Sequence, residues 1–256
     1  EGDWRVMPNG VDFARGRVDD ALVDEVTQGY DLPRGVPVFL FVGRMMWYKG
    51  LRIILDALAQ LKKAGEDFRM MFVGSGGDRD EVIAYARELA LDDRVFFDAP
   101  KYDRNVIRAW YCRADLFLFP STFDTNGLVV REAAACALGS VLVRGSGAAE
   151  DVEDGVSGFF IDENAASLAD KLTELLHAPE RMRRVGQTAQ DTIYISWEQS
   201  VARAAARYET VIDNYRAGKY PAHTRPSDSA YRALSGYLAA VSKLHDEAKT
   251  LRDRFL

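Results

Sequence analysis

Residues 119–138 read Phe119-Pro120-Ser121-Thr122-Phe123-Asp124-Thr125-Asn126-Gly127-Leu128-Val129-Val130-Arg131-Glu132-Ala133-Ala134-Ala135-Cys136-Ala137-Leu138. The apolar run Leu116–Phe119 leading into this stretch is expected as a buried strand that stops at Pro120. A polar loop then carries Asp124, and Asn126-Gly127 opens a helix through Leu138 with Glu132 in its second turn. The first N–H groups of a helix lack internal partners, and its dipole places about half a positive charge there, so an anion such as a phosphate is favoured. Two acids eight positions apart across such an end are an unusual way merely to fill a core.

The same strand–loop–helix pattern repeats on both sides. Upstream, Val38–Val42 is a continuous apolar run, as expected of a strand covered on both faces, and a helix follows from Leu51 to Ala64. Phe68–Val73 then leads into a helix at 79–90, and Val95–Phe97 into one at 103–113. A polar helix at 21–30 is expected before Pro33 and Pro37 break the pattern. Downstream, 141–143 and 158–161 read as two more strands, and helices at 165–177, 179–190 and 197–216 follow. Repeated units with short connections specify an α/β fold: a doubly wound, Rossmann-like parallel sheet of about six strands, with helices on both faces and a C-terminal helical extension. In such sheets ligands bind beyond the carboxyl ends of the strands, so Arg44, Lys49, the Gly74–Gly77 loop, Asp124, Gly127 and the loop 145–150 should converge on one rim.

Residues 1–12, with Pro8 and an Asn-Gly turn, read as a linker or hinge from a preceding N-terminal domain, and 13–217 as the Rossmann-like domain. Residues 218–256 read as the helical extension. Its apolar stripe, Tyr231, Leu234, Leu238, Val241, Leu244, Ala248 and Leu251, needs a partner.

Of the 256 residues 48% are hydrophobic and 28% charged, as in an ordinary globular protein, and the net charge of −6 argues against nucleic acid as the main partner. The apolar runs are strand-sized, too short for a membrane span. The expected location is therefore cytoplasmic, with membrane association of the full-length protein left open. Cys112 and Cys136 lie in apolar helical patterns and read as buried, reduced thiols; no metal-ligand spacing occurs, so no metal is expected. His177, His223 and His245 read as structural or solvated.

Arg44, directly after Gly43, and Lys49 flank a strand-to-helix turn. Together they suit a diphosphate, Arg as a two-pronged donor and Lys as a point charge, although such residues at loop ends are as often simply solvated. Gly74-Ser75-Gly76-Gly77 is half of a dinucleotide fingerprint; it is either a turn needing positive φ or a backbone that admits a ligand closely. A carboxylate near a helix start is often only a cap. The alternative gives one acid to sugar hydroxyls and the other to a ribose diol, whose two protons a carboxylate can accept together.

With these residues assembled, the chain resembles the C-terminal, donor-binding half of a family 4 retaining glycosyltransferase of the glycosyltransferase B fold. The matching features are Val6-Met7-Pro8-Asn9-Gly10-Val11-Asp12, Gly43-Arg44, Lys49-Gly50, Val73-Gly74-Ser75-Gly76, Phe119-Pro120-Ser121, the acid–seven residues–Glu signature from Asp124 to Glu132, Glu132-Ala133, and Asp154-Gly155-Val156-Ser157-Gly158-Phe159. The resemblance implies that Arg44 and Lys49 hold the donor diphosphate and that backbone N–H groups around Asn126, Gly127 and Leu128 meet its distal phosphate. It further implies that Glu132 binds the ribose, that Asp124 touches the transferred sugar, and that the base lies near 97–101. Catalytic roles would fall to Asp124, Arg44 and Lys49, with Gly43, Gly74, Ser75 and Gly76 lining the donor. The first acid of the signature is commonly Glu; Asp124 is one methylene shorter, so the sugar, the backbone or a water must shift to restore the contact.

The resemblance also implies a UDP-sugar as substrate, no cofactor or metal, and an acceptor held by the N-terminal domain, in the manner of a membrane lipid or cell-surface glycan. Two rival readings are a nucleotide-sugar epimerase of the same fold and a non-catalytic flavodoxin-like binding module. A receiver module would carry clustered acids after its first strand, where this chain has Gly43-Arg44.

Overall fold

Six apolar segments pair side by side, all in the same direction. The computed structural model describes residues 5–220, 235–237, 239 and 243. Its strands are β1 (Val38–Val42), β2 (Arg69–Val73), β3 (Val95–Asp98), β4 (Leu116–Phe119), β5 (Ser140–Val143) and β6 (Phe159–Ile161). Their order in the sheet is β3-β2-β1-β4-β5-β6. Phe39 stands opposite both Met70 on β2 and Leu116 on β4, so β1 is the central strand at which the order reverses. The doubly wound parallel fold expected from the sequence is the fold observed.

The helices are α1 (Asp20–Thr27), α2 (Leu51–Ala64), α3 (Arg79–Glu88), α4 (Arg104–Arg113), α5 (Leu128–Ala135), α6 (Ala165–Leu176), α7 (Pro179–Thr192) and α8 (Trp197–Arg216). α2 packs on α3 and α6, whereas α1 packs on α4, α4 on α5 and α5 on α7. Asp103 caps α4 by accepting from the N–H groups of Asn105 (2.8 Å) and Val106 (3.2 Å). The chain divides into two compact units, Glu1–Ala204 and Ala205–Leu256. The sheet belongs wholly to the first; in the second, Asn214 Nδ2 donates to the Tyr220 hydroxyl at 3.4 Å. The apolar stripe from Tyr231 to Leu251 lies outside the described residues.

Aromatic side chains fill the middle of the sheet. Phe41 contacts Phe72 on one neighbouring strand and Phe119 on the other, with ring centroids 5.7 and 6.1 Å apart, and all three rings are buried. Residues 5–13 lie against the end of the first unit. Val11 N–H donates to Ile195 O at 3.0 Å, Trp197 N–H to Val11 O at 3.2 Å, and Ser200 Oγ to Pro8 O at 2.6 Å.

The helix after the opening motif ends at Ala135, three residues before the expected Leu138. Ala137 takes a left-handed conformation (φ 56°), and Leu138 N–H reaches back to Ala133 O at 3.0 Å. Close packing enforces this stop: a Cβ on Gly186 of α7 would stand 2.1 Å from Ala137 O. The helix expected at 79–90 likewise ends early, at Glu88, where Ala90 turns left-handed (φ 54°).

The close approach that matters for the rim is at Gly50, where the β1 loop crosses the end of β4. Its φ is 77°, and a Cβ there would meet Pro120 O at 2.1 Å. Gly65, the C-cap of α2, has φ 87° with nothing within 4 Å of a Cβ. Gly65→Ala should therefore cost about 1 kcal/mol from backbone strain alone, and Gly50→Ala more than about 2 kcal/mol because a steric clash is added. Urea midpoints of the two variants check this; equal losses would mean that the two loops are not held together here.

Candidate functional site

All six strands point one way, so the segments leaving their carboxyl ends share one rim. Two of these, Gly43–Gly50 after β1 and 120–127 after β4, stand at the reversal of strand order, where a crevice opens because the following helices go to opposite faces.

Lys49 comes from the first loop and is buried despite its charge. Its Nζ donates to Asp124 Oδ1 from the second loop, and the Ser121 hydroxyl donates to Asp124 Oδ2. The ammonium also lies 5.6 Å from the ring centroids of both Tyr48 and Phe119. Lys49 and Asp124 are 75 positions apart, and their side chains are only 11% and 23% exposed. Removing one partner of so enclosed a pair leaves an uncompensated charge, at a cost of about 3 kcal/mol.

Arg44 is placed differently. It is exposed and makes no side-chain hydrogen bond or ion pair among the described residues. It borders a cleft of about 360 Å³ shared with Gly43, Gly74, Ser75, Lys101 and Glu132. The cleft floor is backbone: a Cβ on Gly74 (φ 148°) would fall 2.0 Å from Gly43 O, so only glycine lets the β1 and β2 loops meet. Met45 N–H donates to Ser75 O at 2.9 Å and tightens the same junction. Gly76 abuts Met45 O on its far side.

Glu132 lies on α5 with its side chain 17% exposed. Its Oε2 accepts from the Tyr111 hydroxyl at 3.0 Å, and Arg104 Nη1 is 3.9 Å from Oε1. Burial raises the Glu132 carboxyl above the ordinary range, partly countered by the Tyr111 hydrogen bond and the Arg104 charge. Burial, with the Glu132 charge added, pushes the Tyr111 phenol well above its usual value, so Tyr111 is a neutral donor. Neither Tyr111 nor Arg104 stood out in the sequence. The available signal was their spacing of seven, two turns along one face of α4.

Asn126, Gly127 and Leu128 open α5. Gly127 is its N-cap in a left-handed conformation (φ 49°), and no side chain caps the first N–H groups. Asn126 and Leu128 are exposed. The expected site residues thus fall in two neighbouring groups: Lys49, Ser121 and Asp124 at the β1/β4 reversal, and Arg44, Gly43, Gly74, Ser75 and Glu132 around the cleft. Lys101, in the stretch expected to lie near a base, lines that cleft too and pairs with Asp98 at 2.9 Å.

Elsewhere, Cys112 and Cys136 are free and buried, and the exposed His177 ring lies 3.0 Å from Glu66 Oε1. His223 and His245 lie outside the described residues. Among the described residues no group of three or more His, Cys, Asp or Glu is placed to hold a metal ion, and no helix is long and apolar enough to cross a membrane.

The family model described as "Glycosyl transferases group 1" matches residues 24–192, which contain every rim residue named above. The chain belongs to this family. The D-inositol 3-phosphate glycosyltransferase 2 of Catenulispora acidiphila is 32% identical over 222 residues, covering 82% of this chain and 51% of that protein. The chain thus spans about half the length of the curated relatives it matches. Among solved structures, the sucrose-phosphate synthase of Thermosynechococcus elongatus superposes with a TM-score of 0.69 at 24% identity, covering 82% of this chain and 53% of that one. Anabaena HepE in complex with UDP and glucose gives 0.65 at 23%, covering 75% and 53%. These likenesses establish the shared fold.

The Tyr111–Glu132 bond yields a pH-dependent prediction for this glycosyl transferase domain. A carboxyl raised on folding adds stability below its ordinary value of 4.5, and that stability is lost as pH rises through the raised folded value. Tyr111→Phe removes a donor to the ionised form and raises the carboxyl further. Its cost should be about 1.5–3 kcal/mol at pH 7.5, where Glu132 is charged, and clearly smaller at pH 4.5. Denaturant unfolding at the two pH values measures it; a pH-independent cost would mean that the Glu132 carboxyl does not change charge between them.

Proposed function

We propose that this chain is the donor-binding domain of a retaining glycosyltransferase, which transfers a sugar from a UDP-sugar to an acceptor held by a second, N-terminal domain. In this reading residues 13–217 bind the nucleotide-sugar, 1–12 lead in from the N-terminal domain, and 218–256 extend the fold. The observation that carries the reading is the convergence at one rim of two cations, Arg44 and Lys49, an uncapped helix start at Gly127 and the enclosed carboxylate of Glu132.

Each part has a chemical task. Arg44 offers its planar fork to the diphosphate, and the α5 N–H groups with Lys49 take up charge as the nucleoside diphosphate departs. Charge-stabilising groups fixed in advance act most strongly on such a transition state, because they need not reorganise. Glu132 accepts the two hydroxyls of the ribose; its carboxylate is already oriented by Tyr111. Asp124 contacts the transferred sugar, and the backbone of Gly43, Gly74, Ser75 and Gly76 admits the donor closely.

The relatives are D-inositol 3-phosphate glycosyltransferases, and the HepE structure is a complex with UDP and glucose. A UDP-sugar donor for this chain is inferred from the latter together with the cleft beside Lys101. The acceptor in this proposal is a membrane lipid or cell-surface glycan, met on the cytoplasmic side by the whole enzyme.

Calorimetry with the chain tests the donor assignment. UDP and pyrophosphate should both bind, and Arg44→Ala should weaken both by about tenfold, the loss of one charge-assisted contact. Glu132→Gln should weaken UDP about tenfold and leave pyrophosphate, which lacks ribose, unchanged. Equal losses for the two ligands would remove the ribose role. No binding of either by the wild-type chain would count against the donor site as a whole.

A further inference from the structure

The donor reading gives Lys49 to the diphosphate and Asp124 to the sugar as separate tasks, yet these two side chains are bonded to each other. We propose that Lys49 and Asp124 form an exchangeable pair, through which the site favours a diphosphate that carries a sugar over a bare one. The inference rests on the donor-site reading and specifies how that site selects its ligand.

Both oxygens of Asp124 are engaged, Oδ1 by Lys49 and Oδ2 by the Ser121 hydroxyl. A phosphate drawn to Lys49 therefore meets a cation already neutralised and a carboxylate of its own sign beside it. Like charges held this close repel strongly where water is scarce, and both side chains are largely enclosed. The ammonium must turn from the carboxylate to the phosphate. Asp124 Oδ1 then loses its donor at a place where only part of its surface meets water, and an enclosed acceptor without a donor is costly.

A sugar attached to the diphosphate removes that cost. Its hydroxyls lie next to the phosphate that took Lys49, and they donate to the carboxylate in place of the ammonium. Bare UDP leaves Oδ1 to water. Arg44 has no such competitor, so it anchors any diphosphate alike, while the Lys49–Asp124 exchange reads what the diphosphate carries.

The aromatic neighbours fit this division. Tyr48 and Phe123 immediately precede Lys49 and Asp124, and their rings meet edge to face with centroids 5.7 Å apart. Phe123 is 73% exposed, so the exchanging pair is flanked by an apolar wall that a sugar ring can cover. The short side chain of aspartate also matters. In this chain it ends on Lys49 and Ser121, both supplied by the rim itself.

The test is calorimetry of the wild-type chain, Asp124→Asn and Asp124→Glu with pyrophosphate, UDP and a panel of UDP-glucose, UDP-galactose and UDP-N-acetylglucosamine. Asp124→Asn removes the competing charge, so pyrophosphate and UDP should bind about fivefold more tightly, a gain of about 1 kcal/mol. The preference for the best UDP-sugar over UDP, present in the wild type, should disappear in this variant. Asp124→Glu keeps the charge and should not reproduce the pyrophosphate gain of Asp124→Asn. Unchanged or weaker pyrophosphate binding by Asp124→Asn, or an intact sugar preference, overturns the exchange. If Asp124→Asn does not fold, the wild type decides: the Asp124 carboxyl carbon resonance should shift when pyrophosphate is added, and a fixed resonance overturns the proposal. Failure of the donor reading looks different, since then neither UDP nor pyrophosphate binds the wild type. Binding that depends on Arg44 and Glu132, with no effect at Asp124, overturns the exchange alone.

Discussion

Everything at the rim depends on β1 being hydrogen-bonded to a parallel neighbour on each side, β2 and β4. Parallel strands cannot be joined by a tight hairpin, so every connection must cross over and return, and every strand ends at the same edge. Where the order reverses, between β1 and β4, successive crossovers lie on opposite faces and leave a crevice. The Phe41–Phe119 contact holds these two strands together from within, and the approach of Gly50 to Pro120 holds their loops together above. The Lys49–Asp124 pair forms over that junction. It depends on a strand pairing rather than on its own local sequence.

The rim separates its cations by how they are held. Arg44 is exposed and unpaired among the described residues, so it can meet an anion without first giving up a partner. Lys49 is enclosed, and its charge is already balanced. A site with two free cations would take up any diphosphate strongly and discriminate little, because specificity is a difference between affinities and often needs an opposing term. In the proposed exchange Asp124 supplies that term. Glu132 is tuned in another way: burial works against its charge, while Tyr111 and Arg104 support it.

Much of this was legible in the sequence. Continuous apolar runs at 38–42, 70–73 and 116–119, each followed by a glycine- or proline-marked loop and a helical pattern, led directly to a parallel sheet, because strands buried on both faces read as short apolar runs bounded in this way. Asp124, Glu132, Arg44 and Lys49 were each visible as residues placed after strands. Element ends were less legible. The helix of the opening motif stops at Ala135 because α7 presses on Ala137, a contact made 49 positions away along the chain.

The amino-acid sequence by itself determined the succession of strands and helices along the chain, the edge of the sheet at which the loops emerge, and the kinds of group brought there. Local periodicity and turn chemistry suffice for these, since they act over a few residues. Only the tertiary structure decided which of those groups touch. Lys49 and Asp124 are 75 positions apart, and Tyr111 and Glu132 are 21 apart on different helices. Their bonds arise from strand order and helix packing, which no local pattern encodes. The reading of two acids with two separate tasks thus became one acid joined to a lysine and another oriented by a buried tyrosine.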